Sequence, residues 1–165
     1  MPTRAPGFTL IELVVVLLLL AIVLGMVGVN LARDDSGRLR DEAARLDVSI
    51  KAARQEAILQ GRIFAVSLRH DGYDFLGLND QGKLAALVQD DVLRGYALPA
   101  GVRIDAVSID GNAAGEPAVI VLPPGGELPP FTIGLAAGAA RWQLTGEANG
   151  SLRSARGPED GRDDR

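Results

Sequence analysis

The chain of 165 residues contains no cysteine, so disulfides, thiolate nucleophiles and cysteine-ligated metals are all excluded as sources of stability or chemistry. Histidine is nearly absent as well, with His70 alone, and aromatic residues make up only 4% of the chain. Basic residues are outnumbered, 17 Lys and Arg against 21 Asp and Glu, for a formal charge of -4. A nonspecific polyanion binder depends on Lys and Arg neutralising phosphates, so this balance disfavours one. Proline is missing between Phe8 and Leu98, and charge is missing throughout residues 13–32. The first absence leaves room for a long helix. The second leaves a run that, as a helix, covers about 30 Å and can span the hydrocarbon of a bilayer.

That run follows directly on Gly7-Phe8-Thr9-Leu10-Ile11-Glu12-Leu13, and the glutamate at its start is out of place. A carboxylate in hydrocarbon is unfavourable by a few kcal/mol, roughly, unless it is neutralised or interfacial. A secretory signal peptide does not account for it: the apolar stretch is too long, and no small-x-small cleavage site follows. A simple single-pass anchor accounts for the length but not for Glu12. If the chain is cut between Gly7 and Phe8, however, Phe8 gains an α-amino group, and Glu12 lies one helical turn beyond it on roughly the same face. Ammonium and carboxylate then compensate each other within one chain or between neighbours. Arg4, ahead of the run, biases that end toward the cytoplasm, with Arg33 beyond it weakening the contrast.

Past the run, Leu39, Ala43, Leu46, Ile50, Ala53 and Ala57 recur at spacings of four and three, which predicts an amphipathic helix ending at Gly61. Residues 34–37, Asp-Asp-Ser-Gly, are expected to interrupt the helix before this stripe. After Gly61 the pattern shortens and turn residues multiply. Strands are expected at 63–68, 73–78, 84–88, 102–109, 118–122, 131–136, 141–145 and 151–153. His70-Asp71-Gly72, Asn79-Asp80-Gln81-Gly82 and residues 146–150 read as turns, and residues 110–117 as a Gly-containing loop. Seven or eight short strands with this punctuation suggest two small packed sheets covered on one side by the helix. Trp142 is expected in the core beside Leu144, while residues 154–165 carry no large apolar side chain and read as a disordered tail. The fold class is therefore α+β: residues 1–7 as a leader, 8–32 as a transmembrane and assembly helix, 33–61 as the amphipathic helix, 62–153 as a β-sandwich-like domain, and 154–165 as the tail.

Catalytic chemistry is hard to place on this chain. His70 falls in a turn beside Asp71 and Gly72, where polar residues serve the turn itself, and no serine, threonine or carboxylate pair is marked out by spacing. Asp71, Asp74, Asp80, Asp90 and Asp91 offer oxygens without the spacing of a calcium loop. The expectation is a protein that is not an enzyme and needs neither cofactor nor metal.

Residues Gly7 to Leu13 resemble the type IV prepilin family, whose pattern is a short leader ending in Gly, then Phe-Thr-Leu-Ile-Glu and an apolar helix. The match is without departure. The resemblance implies cleavage after Gly7 by a prepilin peptidase, N-methylation of Phe8, an assembly role for Glu12, and a pilin-like fold with a long N-terminal helix. Ala44-Arg45-Leu46, Ala53-Arg54-Gln55-Glu56-Ala57 and Leu122-Pro123-Pro124-Gly125-Gly126 leading to Pro130-Phe131-Thr132-Ile133 are similar to the GspH/FimT family. Tyr73-Asp74-Phe75-Leu76 with Asp91-Val92-Leu93-Arg94 and Leu98-Pro99 resembles its GspH-type minor pseudopilins, although Gly82-Lys83-Leu84 stands where a tryptophan often follows the glycine. This implies a minor pseudopilin of type II secretion, anchored in the bacterial inner membrane with its domain in the periplasm and assembled into a periplasmic pseudopilus. Implied partners are the major pseudopilin, other minor pseudopilins, the inner-membrane assembly platform, and the secretion channel or an exported substrate. The alternative is a FimT-like minor pilin that binds DNA during uptake. Arg153, Arg156, Arg162 and Arg165 interleave with Glu159, Asp160, Asp163 and Asp164, which weakens the field such binding needs.

Overall fold

The computed structural model describes residues 10–79, 81–87 and 93–158, and for residues 23–34 the backbone alone. The chain divides into two compact units, Met1–Asp34 and Asp35–Arg165. Helix α1, Leu10–Gln60, supplies the described part of the first unit and the opening element of the second. The interruption expected at residues 34–37 does not occur, because Gly37 and its neighbours are helical.

Within the second unit the apolar stripe of α1 behaves as its spacing dictates. Leu39, Ala43, Leu46, Ile50, Ala53 and Ala57 are all fully buried, and the small alanines let the helix approach the sheets closely. The helix stops where Gly61 takes a left-handed φ of 64° and the Arg62 amide donates back to the Ala57 carbonyl at 3.2 Å. This is the glycine-terminated cap that only a residue without Cβ adopts cheaply.

Ten strands follow: β1 Phe64–Arg69, β2 Gly72–Leu78, β3 Leu84–Ala86, β4 Tyr96–Ala97, β5 Val102–Ile109, β6 Asn112–Ala113, β7 Ala118–Leu122, β8 Phe131–Ala137, β9 Ala140–Gly146 and β10 Leu152–Arg156. They form two antiparallel sheets. The first runs β3-β2-β1-β7, with β4 also pairing β2, and the second runs β10-β9-β8-β5-β6. Alternation sends Phe64, Val66 and Leu68 of β1, Tyr73 and Phe75 of β2 and Ile120 of β7 to the inner face of the first sheet. Ile104, Phe131, Ile133, Leu135 and Leu144 do the same in the second, and both faces share one core with the helix stripe.

The strands expected from the turn pattern are present, with three differences. β4 and β6 have two residues each, too short to leave a periodic signature. β6 folds back from β5 through Asp110 (φ 52°) and Gly111 (φ 77°), a tight turn inside what the sequence presents as a loop. The third difference is at residues 154–156, expected to lie in a disordered tail. Ser154, Ala155 and Arg156 continue β10 against β9, and the Gly157 amide donates to the Arg141 carbonyl at 3.0 Å. Backbone pairing needs no apolar side chain, so composition misses this extension. Residues 159–165 of the expected tail lie outside the described residues, as does Val88 of the third expected strand. Trp142 shares the inner face with Leu144 but sits at its margin, half-buried against the core.

Candidate functional site

Two regions carry residues the sequence singles out. In the first unit, Glu12 lies in the first turn of α1, where a negative charge is favoured by the helix dipole. It is exposed, and so is every side chain around it: Leu10 is 82% exposed, Ile11 72% and Ile22 48%. A helix that is apolar on all faces is stable only where other apolar groups or lipid surround it. From Leu10 to Ile22 the one ionisable group is Glu12. Gly7 and Phe8 lie outside the described residues, as does the geometry of a pair between Phe8 and Glu12. Among the described residues no helix is long and apolar enough to cross a membrane. The apolar run of residues 13–32 is described with side chains only as far as Ile22.

In the second unit the structure joins two segments that are 72 residues apart. The Arg54 Nε donates to the Gly126 carbonyl at 2.6 Å, and its Nη1 reaches the Gly150 carbonyl at 3.4 Å. Arg54 thus ties α1 to the Leu122-to-Gly126 loop and to the β9–β10 turn, holding three elements with one fork of donors. Arg54 and Gly126 lie in two stretches that resemble one family, but nothing in their spacing reveals that they touch.

A second cluster pins β4 to the helix. The Tyr96 hydroxyl donates to Glu42 Oε1 at 3.2 Å, the Arg45 guanidinium lies 4.7 Å from the Tyr96 ring centre, and Tyr96 packs on Tyr73 at 5.5 Å. Glu42 is buried, with Arg45 Nε 3.8 Å from its Oε2, which makes no hydrogen bond of its own. Burial raises the Tyr73 hydroxyl above its ordinary pKa, against a hydrogen bond with Ser49 that lowers it. Tyr96 is also raised, by burial first and then by the Glu42 charge. These residues are missed in the sequence: Glu42 looks like any polar residue flanking the stripe, and β4 has no period to read.

The residues considered for catalysis or ion binding have structural partners. His70 is exposed in the β1–β2 turn; its amide donates to Glu116 Oε1 at 2.8 Å and its carbonyl accepts from the Ile104 amide at 2.9 Å. Asp71 and Asp74 both pair with Arg69, and the Asp74 hydrogen bond raises the guanidinium above its ordinary value. Asp80, Asp90 and Asp91 lie outside the described residues. Among the described residues no three His, Asp or Glu side chains gather as a metal site would need. Arg153 pairs with Glu147 at 3.6 Å, Arg156 donates to the Ser36 hydroxyl at 2.9 Å, and Arg162 and Arg165 lie outside the description. Among the described residues, an open groove of about 450 Å³ runs along β5, β8 and β9, crossed by an Arg141–Asp105 ion pair of 3.3 Å. Its charged groups answer each other.

Residues 42–150 match the family model described as type II transport protein GspH, and residues 3–28 match the prokaryotic N-terminal methylation motif. The type II secretion system protein H of Klebsiella pneumoniae is 31% identical, the alignment covering 93% of this chain and 94% of that protein. The protein of the same description from Aeromonas hydrophila is 27% identical over 80% of this chain and 81% of its own length. Among solved structures, the minor pseudopilin EpsH from the type II secretion system of Vibrio cholerae superposes with a TM-score of 0.64, at 22% identity. That match covers 76% of this chain and 99% of EpsH.

Proposed function

The chain belongs to the GspH family of type II transport proteins and is a GspH-type minor pseudopilin, part of a membrane-anchored pseudopilus; we propose that it works by assembly, with no catalytic step of its own. The observation that carries this reading is the first unit, in which Glu12 is the one acid among fully apolar, exposed helical residues from Leu10 to Ile22. Such a helix is stored in lipid and then transferred into the helical core of a filament, because both environments shield it from water. Cleavage after Gly7 by a prepilin peptidase gives Phe8 its amine, which is then N-methylated. Glu12 pairs with that amine in its own chain or a neighbour's, so a subunit in the wrong register leaves a charge uncompensated in an apolar medium. The match of residues 3–28 to the methylation motif supports the cleavage position.

The second unit, with its own core, then faces the periplasm and distinguishes this subunit from the rest. Its partners are the major pseudopilin, the other minor pseudopilins and the assembly platform, with the secretion channel or an exported substrate beyond them. An intact-mass and N-terminal analysis of the protein from its native host tests the processing, and the expected result is a chain beginning at N-methylated Phe8. A terminus at Met1 or beyond Ala32 rejects the reading. In the same host, Glu12→Ala is expected to insert in the membrane normally while filament incorporation falls at least about tenfold, because the Phe8 amine is left without its counter-charge.

A further inference from the structure

The two sheets differ on their outer faces. On the outer face of β8, β9 and β5, the positions alternating with the core are Thr132, Thr145, Gln143, Arg141 and Ser108 together with the small residues Gly134, Ala136 and Ala106, a face without a large aliphatic side chain, as expected when one side of an antiparallel sheet meets water. The outer face of the first sheet is polar where Ser67 of β1 pairs with Asp74 of β2, and apolar in the two rows beyond that pair. Register places Leu76 of β2, Ala65 of β1 and Val121 of β7 in one cross-strand row, with their side chains opposite to the core-facing Phe75, Val66 and Ile120. In the next row, Leu84 of β3 lies opposite Leu78 of β2, and the Leu78 amide donates to the carbonyl of Ile63, which precedes β1. Val121 is 41% exposed, Leu84 40% and Ile63 36%. With Ala65 buried between Leu76 and Val121, the outer face of this sheet is apolar over two rows, and an exposed apolar patch marks a contact surface.

The border of the face carries sign. Arg62 and Lys83 stand immediately before Ile63 and Leu84 at the end of the strands, both exposed; the Arg62 guanidinium donates to the Leu78 carbonyl, and neither side chain is in an ion pair among the described residues. At the opposite end, Arg69 is balanced by Asp71 and Asp74. The face is apolar with one basic edge.

Its size selects the kind of partner. Four strands about 4.8 Å apart and two rows deep give a patch of roughly 300 Å². A stable free complex needs about 800 Å² on each side, so two free copies of this chain have too little here to dimerise. Neighbours already held side by side by their membrane or filament helices need far less, because tethering raises the effective concentration to about millimolar. We propose that the outer face of the β3-β2-β1-β7 sheet is the docking surface for the globular domain of a different filament subunit, one presenting an apolar face bordered by carboxylates. The inference rests on the pseudopilin reading and deepens it by naming the face and the chemistry of its partner.

The test uses the full-length protein in its native host with a photo-crosslinking phenylalanine analogue at position 121, and the same analogue at position 145 on the outer face of the other sheet. The expected result is a covalent adduct from position 121 to a second, different prepilin-type subunit, with position 145 at background. Replacing Arg62 and Lys83 together by Glu is expected to reduce that adduct at least about tenfold, the scale of a hot-spot loss. Val121→Glu, an exposed change expected to leave the melting temperature unaltered, should likewise lower co-purification of that subunit. Adducts to a second copy of this chain, adducts to a protein outside the filament, or a yield at 121 no higher than at 145 would each overturn the docking face. The N-terminus is measured on the same sample. An unprocessed chain removes the pseudopilin reading and this face with it, whereas a processed chain without the adduct removes the face alone.

Discussion

At the scale of single residues, Arg54 is the side chain on which the most elements converge, and it imposes glycine on a neighbour. Gly150 has φ 82°, and a Cβ built there would lie 2.2 Å from Arg54 Nη2. Gly150→Ala therefore suffers twice: a left-handed alanine costs about 1–2 kcal/mol, and the guanidinium must leave its carbonyl partners at about 1 kcal/mol more. Because the far end of an arginine can move, the second part is relieved if Arg54 is already gone. The expected outcome of a double-mutant cycle with Arg54→Ala, read by chemical denaturation, is that Gly150→Ala costs at least about 0.5 kcal/mol less in the Arg54→Ala background. Equal costs in both backgrounds would show that the two residues are not coupled. Tyr73 supports a second expectation. Its hydroxyl is raised by burial, so the folded chain keeps a proton that the unfolded chain releases above pH ~10. The stabilisation is complete below that pH and is lost as the pH rises through the folded value. Melting temperature should accordingly fall on the alkaline side of pH ~10, and Tyr73→Phe should flatten that limb while lowering the plateau through loss of the Ser49 hydrogen bond. A limb of unchanged steepness would assign the alkaline loss to other groups.

At the scale of elements, what is legible in the chain is what repeats. All six stripe positions of α1 are buried because a spacing of three and four can present only one face to a core. Gly61 caps the helix as placed, and the long strands β1, β2, β5, β7, β8 and β9 follow from alternation between turn residues. What is not legible depends on tertiary pairing alone: the burial of Glu42 under Tyr96, the two-residue strands β4 and β6, and the reach of Arg54 across 72 residues to Gly126. Composition misled at β10, where a polar, small-residue stretch is held by backbone hydrogen bonds and by the Arg156–Ser36 contact. The consequence is measurable by truncation. A chain ending at Gly157 should melt as the full chain does. One ending at Arg153 forfeits the pairing of Ala155 with Gln143 and of Arg156 with Trp142, and should lose about 2 kcal/mol. Equal stability of the two truncations would return residues 154–156 to the tail.

At the scale of the molecule, the two units answer to different solvents, and this division governs what can be separated. Every residue of the shared core, from Leu39 to Leu144, belongs to the second unit, and none comes from the apolar stretch of Leu10 to Ile22. The first unit contributes no described side chain to that core, and its own apolar surface is open on all sides, so its stability is tied to the lipid or filament around it. The second unit should then fold without the first. A fragment of residues 35–165 is expected to be soluble and to unfold in one cooperative transition within about 3 °C of the corresponding transition of the full chain in detergent, since every described core residue lies within it. A loss of cooperativity in the fragment would mean that the anchoring helix also supports the domain. Filament entry would then be coupled to domain folding, and the Glu12→Ala variant would alter domain stability as well as incorporation. An unchanged transition in both proteins leaves Glu12 acting on assembly alone, with the globular unit delivered to the filament already folded.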